Sequence, residues 1–271
     1  MAKAVLKIRG IALTMLQETL RRRVLYVVAF MMLITLVIII SGQVALRMAA
    51  ESGETSIATG IREGFVQNVL GTWTSTAAVV LAIFLGAVGV SSEVTAKTIV
   101  NVLSRPVDRA TYLMGRWIGT LAFLWAFQFL GILIALFIAL AYDVRYSPLL
   151  WVGVANLFVS TLFFSGVSLG FSVFMPPVLA GGCTILISSL PGLVSDLTRH
   201  PRWITRVLAN AAYYLAPATM PVDLIEGSFT RELVHPEYWL YFEVMAENFL
   251  YTVVVFILAH AIFARRELRL R

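Results

Sequence analysis

The chain is poor in charge and nearly without cysteine. Only 13% of its 271 residues are Asp, Glu, Lys or Arg, where an ordinary soluble domain carries about 25%. That scarcity excludes a water-exposed surface over most of the chain. The single cysteine, Cys183, excludes an intrachain disulfide and supplies no thiolate cluster for a metal, and no metal site is expected. Lysine is rare as well: Lys3, Lys7 and Lys97 are the only ones, and none follows a glycine. A G-x-x-x-x-G-K-[ST] phosphate-binding loop is thereby excluded.

What is abundant is apolar, at 59% of residues. Several runs approach or exceed the roughly 18 to 20 residues needed to cross a bilayer. The expected fold class is all-α, with six transmembrane helices over residues 24–41, 69–90, 111–141, 149–174, 176–195 and 247–264. Helices are expected because lipid offers backbone N–H and C=O groups no other partners. The first run follows a charged stretch and has no small-residue cleavage site behind it, so it reads as a retained span. No internal repeat or low-complexity linker divides the chain, and 1–271 reads as a single membrane domain. The net charge of +6 then speaks for lipid headgroups and orientation, with no role for nucleic acid.

With a cytoplasmic N-terminus, 14 of the 21 Lys and Arg fall in 1–23, 91–116 and 265–271. This asymmetry predicts a multi-pass protein of the cell (inner) membrane with both termini cytoplasmic. Within 1–23, Val5, Leu6, Ile8, Ile11, Met15 and Leu16 alternate with basic residues, the pattern of an amphipathic helix on the cytoplasmic membrane surface. Gly10 interrupts it, and a frayed basic tail is the plainer alternative. The extracytoplasmic segment 196–246 contains Pro201, Pro217, Pro221 and Pro236, which bar one continuous helix. Arg199, Arg202 and Arg206 oppose Trp203, Ile204 and Val207 there, as in a helix that lies at the interface or dips into it. Tyr238, Trp239, Tyr241 and Phe242 form an aromatic belt ahead of the last span.

Residues 91–110 break the apolar pattern. Ser92 and Glu93 suit a helix start, and Ile99, Val102 and Leu103 give a short apolar face. Pro106 disfavours helix at Arg105, while Asp108 can cap the helix that follows. A short helix is expected between the second and third spans, with Arg105 and Arg109 on either side of the bend. The plainer reading of Glu93 is a cap, and of the arginines orientation and lipid phosphate.

Glu93, Thr98-Ile99, Leu103-Ser104-Arg105-Pro106-Val107-Asp108-Arg109, Gly115-Arg116 and Gly119 resemble the signature of the permease subunits of type-2 ATP-binding-cassette exporters. That pattern runs as an acidic residue, Gly-Thr, a leucine pair, Pro-x-x-Arg and a Gly-Lys opening the next span. The layout of spans is similar too, and the chain looks closest to the subgroup containing the copper-maturation permease of nitrous oxide reductase. Lys97 stands where the family often has Gly, and Arg116 where Lys is common; charge and helix logic survive both changes. The resemblance implies a transport subunit and not an enzyme, with no cofactor of its own. ATP and Mg would be bound by a separate ATPase subunit, and two copies of this chain would enclose the path. It also implies that 91–110 is a coupling helix, with Glu93, Thr98, Arg105, Pro106, Arg109 and Arg116 as ATPase-coupling residues.

Other polar residues need roles. The span interiors carry amides and hydroxyls, of which Gln128, Asn156, Thr161 and Ser188 are candidates for the translocation path, against the plainer role of helix–helix bonding. Glu243 and Glu247 are outer-gate candidates or caps of a solvated turn. Gly166-Val167-Ser168-Leu169-Gly170 matches G-x-S-x-G, and with His260 it suggests a serine intramembrane protease. Recurrent small residues in that span argue instead for close packing, and no catalytic residue is assigned. A membrane anchor for an extracytoplasmic partner is the remaining alternative. For an exporter, such an accessory protein and membrane lipids are further partners.

Overall fold

The computed structural model describes residues 2–21, 63–64, 66–95, 108–141, 143–198 and 238–265, with single positions between 30 and 48 and between 210 and 228. Among the described residues every regular element is helical. They are α1 (Ala2–Arg21), α2 (Ala78–Thr95), α3 (Arg109–Ala141), α4 (Leu149–Ser172), α5 (Pro177–Thr198) and α6 (Tyr238–Arg265), and a π-helical segment, Leu70–Ala77, runs into α2.

Five stretches are long and apolar enough to cross a membrane: Val66–Ser91, Arg109–Ala141, Leu149–Ser172, Pro177–Val194 and Trp239–Arg265. They match the expected second to sixth spans. Most of the expected first span, 24–41, lies outside the described residues. The last helix starts at Tyr238, inside the expected aromatic belt and ahead of residue 247. Pro236 is the last breaker before it, so nothing stops the helix from reaching back through Trp239 and Phe242.

A second difference concerns Ser92 and Glu93. They do not start a helix, because α2 continues through them to Thr95. A capping side chain acts only where the preceding backbone has left the helix, and no Gly or Pro lies in Val90–Thr95 to make it leave. The rest of the expected coupling helix, with Thr98, Arg105 and Pro106, lies outside the described residues. The turn at Met175-Pro176-Pro177 forms as expected, with Pro177 as the first residue of α5, where its missing N–H costs nothing.

α2, α3 and α4 form the core, and α6 packs on α4. The contacts are close because glycines face neighbouring backbones. A methyl at Gly86 would meet the Ser165 carbonyl oxygen of α4 at 2.7 Å, and one at Gly166 the Thr252 methyl of α6 at 2.4 Å. Of the segment 196–246, expected to be extracytoplasmic, the described Leu224, Ile225 and Ser228 pack on the start of α4: Leu224 joins Leu149, Tyr241 and Met245 in one cluster, and Ser147 N–H donates to the Ser228 carbonyl at 2.9 Å.

Candidate functional site

α3 begins where α2 and α6 end, and α1 lies across its first turns. Tyr112 N–H bonds the Asp108 carbonyl at 3.0 Å, so the helix starts directly after Asp108, where the capping residue is expected. Tyr112 and Leu113 bury against Val90 of α2, Leu169 of α4 and Ala259 and Phe263 of α6. Three other helices therefore meet under the first two turns of α3.

Two arginines there have defined partners. Arg109 donates through Nη1 to the Phe263 carbonyl and, at 3.0 Å, to the Ala264 carbonyl. Its guanidinium also lies 5.5 Å from the centre of the Phe263 ring. The last carbonyls of a helix lack intrahelical donors and carry the negative end of its dipole. Arg109 thus clamps the end of α6 to the start of α3.

Arg116, only 4% exposed, reaches two further helices. One Nη donates to the Met15 sulfur of α1 at 2.8 Å and the other to the Gly89 carbonyl of α2 at 2.8 Å. A buried charge is tolerated only with such partners. The planar fork sends donors in two directions from one side chain, which a lysine ammonium does not do in the same way. The Arg-for-Lys departure in the motif therefore has a geometric use.

On either side of Arg116, Gly115 and Gly119 let α1 approach. A methyl on Gly115 would meet Ile11 Cβ at 2.8 Å, and one on Gly119 the Ala12 carbonyl at 2.8 Å. A helix, α1, occupies Ala2–Arg21 of the expected 1–23 stretch, and where a helix on the membrane surface was expected its Ile11, Ala12 and Met15 pack on α3 through a Gly-x-x-x-Gly surface. Gly10 does not break it. The spacing was readable in the sequence; its partner was not.

Deeper in the bundle, Gln128 and Thr161 come together. Gln128 Nε2 donates to the carbonyls of Thr74 at 2.9 Å and Leu157 at 3.1 Å, and its Oε1 accepts from the Thr161 hydroxyl at 3.0 Å. Thr74 lies in the π-helical segment, whose wider turn perturbs the regular i→i−4 ladder. Beside it Trp73 Nε1 donates to the Phe127 carbonyl at 3.1 Å, and a methyl on Gly131 would meet its ring at 2.4 Å. Trp73 and Thr74 were missed at the sequence level, since nothing in a single apolar run marks a π turn. Gln128 and Thr161 are wholly buried within this subunit.

The other candidates stand apart. Asn156 is half-buried. Ser188 bonds the Ile185 carbonyl of its own helix at 2.8 Å, and Glu243 and Glu247 are exposed early in α6. Glu93 lies near the end of α2. Ser168 is wholly buried and donates to the Ile83 carbonyl at 2.7 Å, while His260 is exposed on α6. The two glycines of G-x-S-x-G face Thr252 and Val255 of α6. That arrangement is a packing surface inside a continuous helix; a strand-to-helix nucleophile elbow has a different backbone.

A family model described as ABC-2 family transporter protein matches residues 11–268. No curated protein matches the chain.

Proposed function

We infer that this chain, which belongs to the ABC-2 transporter family, is the permease subunit of an ATP-binding-cassette exporter. A separate ATPase supplies the hydrolysis, consistent with the missing phosphate-binding loop. Two permeases and two ATPases form the working unit, with ATP and Mg bound on the ATPase side. The finer likeness, to the permeases of nitrous oxide reductase copper maturation, rests on the motif alone.

The observation that carries this reading is the junction at the head of α3. On this reading 91–110 is the ATPase contact, with Glu93, Thr98, Arg105 and Pro106 as its coupling residues. A push on that segment reaches α6 through the Arg109 clamp and reaches α1 and α2 through Arg116. Helices held by discrete bonds shift together as bodies, because packed interfaces hold a few arrangements and do not deform continuously. Gln128 and Thr161 brace the path from inside, while Asn156 and Ser188 are left to line it between the two copies. Glu243 and Glu247 sit at its outer mouth.

The test separates contact from transmission. Arg105→Ala is expected to weaken co-purification of the ATPase by about tenfold, the loss of one charge-assisted bond partly replaced by water. Arg109→Ala is expected to leave the ATPase bound and to abolish its stimulation by the permease. Changing Arg265 and Arg266 to Ala, in the same basic end, should alter neither. Full binding and full stimulation in the Arg105→Ala, Arg109→Ala double variant would refute the coupling assignment.

A further inference from the structure

The buried residues at the start of the span Val66–Ser91 recur in steps of four: Val66, Leu70, Thr74 and Ala78 on one line, Val69, Trp73 and Ala77 on another. An α-helix turns about 100° per residue, so such a line drifts by about 40° per step and cannot stay on one face from Val66 to Ala78. The π-helical segment Leu70–Ala77 takes up the drift with one extra residue. Its main chain is short of one bond as a result. Ala78 N–H donates to the Trp73 and Ser75 carbonyls. The Thr74 carbonyl, which that N–H would serve in an α-helix, receives Gln128 Nε2 at 2.9 Å instead. Beside it the Trp73 indole bonds the Phe127 carbonyl, and its ring stacks on Phe127 with centres 5.2 Å apart.

We propose that Gln128 is a register latch. It holds Val66–Trp73 one residue out of α-helical register with α2, and its release lets that piece turn by about 100° into one continuous α-helix. Three observations carry this. The released register leaves no backbone group without a partner, because Ala78 N–H returns to the Thr74 carbonyl. The chain also has a second face to present: Gly71 and Gln67, seven and eleven residues before Ala78, share its side of an α-helix, while Val69 joins the exposed Thr76 and Val80. Finally, lipid is as apolar as the bundle interior, so turning Val69 and Trp73 outward forfeits packing and no hydrophobic transfer. Hydrogen bonds therefore choose the register, and Gln128 makes the one that replaces a main-chain bond. The turning piece packs through Val66, Val69 and Leu70 on Ile132 and Ala135 of α3 and on Leu150 of α4. Release repacks that end of the bundle, opposite Arg109, in one discrete step.

The latch goes beyond the transporter reading and needs only two packings of one span, so failure of that reading would leave it standing. Its state can be read at Trp73. In full-length protein labelled with 5-fluorotryptophan in detergent, the Trp73 fluorine resonance is assigned by its loss in Trp73→Phe. Gln128→Leu is expected to raise the weight of a second Trp73 line by about tenfold, the value of one net hydrogen bond. Deletion of Thr76, an exposed residue of the π segment, removes the extra residue and keeps Trp73 on its present face. In that background Gln128→Leu should give a single line, and it should lower the unfolding midpoint less than in the wild type, because the Thr74 carbonyl has regained Ala78 N–H. A hydrogen bond that only adds stability would be lost equally in both backgrounds, and equal losses would overturn the proposal. So would a single, unmoved Trp73 line in Gln128→Leu, a result that holds even where the deletion variant does not fold.

Discussion

A single glutamine organises the middle of this bundle. In hydrocarbon an amide without partners is costly, and Gln128 avoids that cost by using both its donor and its acceptor sides on three neighbours. Its two carbonyl partners, Thr74 and Leu157, belong to different spans, so the side chain ties the π-helical segment to α4 across α3. Gln128→Leu is expected to destabilise the protein by about 1–2 kcal/mol, the range for hydrogen bonds between membrane helices. Thr161→Val should cost less, since that hydroxyl also bonds its own helix at the Phe158 carbonyl. Thermal unfolding in detergent checks both, and the double variant should lose less than the sum because the two groups share a bond. An unchanged midpoint for Gln128→Leu would show that the amide is dispensable. The sequence marked Gln128 and Thr161 as polar residues in apolar runs. It did not mark them as partners, because their 33-residue separation is bridged only by the return of the chain through α4.

At the scale of elements, α1 is set by two opposite kinds of glycine. Gly115 and Gly119 on α3 are empty where α1 needs room, so a side chain at either must push α1 away. Gly10, inside α1, meets nothing within 4 Å of where a methyl would stand. Gly119→Leu is therefore expected to undock α1 and speed tryptic cleavage after the exposed Lys7 and Arg9. Gly10→Ala should stabilise the helix by about 0.5–1 kcal/mol through the lost backbone entropy of the unfolded chain. Limited proteolysis reads both changes in one experiment. Faster cleavage of Gly10→Ala, or unchanged cleavage of Gly119→Leu, would contradict this docking.

At the scale of the whole molecule, the division of the basic residues predicts which side of the membrane each end occupies. The 14 to 7 division of Lys and Arg rests on segments that flank spans closely, the range over which the rule acts. In a Cys183→Ser background, cysteines placed by Lys97→Cys and Arg231→Cys are expected to label from opposite sides with a membrane-impermeant maleimide, position 97 from the cytoplasm. Labelling of both from one side would refute the orientation. The expected outcome also puts the α1–α3 junction and the Arg109 clamp on the side where an ATPase can reach them.

By itself the sequence determined the helical membrane class, five of the six expected spans and the ABC-2 transporter family. Apolar runs of bilayer length admit no solution but helices, and the Leu-Ser-Arg-Pro-Val-Asp-Arg stretch is local in the chain, so its pattern survives without a structure. What only the tertiary structure decided is what each polar group holds. Arg109 and Arg116 look alike in sequence, two bases at the head of a span. One closes on the end of α6, 154 residues away, and the other joins α1 and α2. Partner choice at such distances depends on which helices the fold brings side by side, and that in turn depends on glycines whose value is the neighbour they admit. A glycine's own residue type records only that space is available; the packing of α1, α4 and α6 decides what fills it.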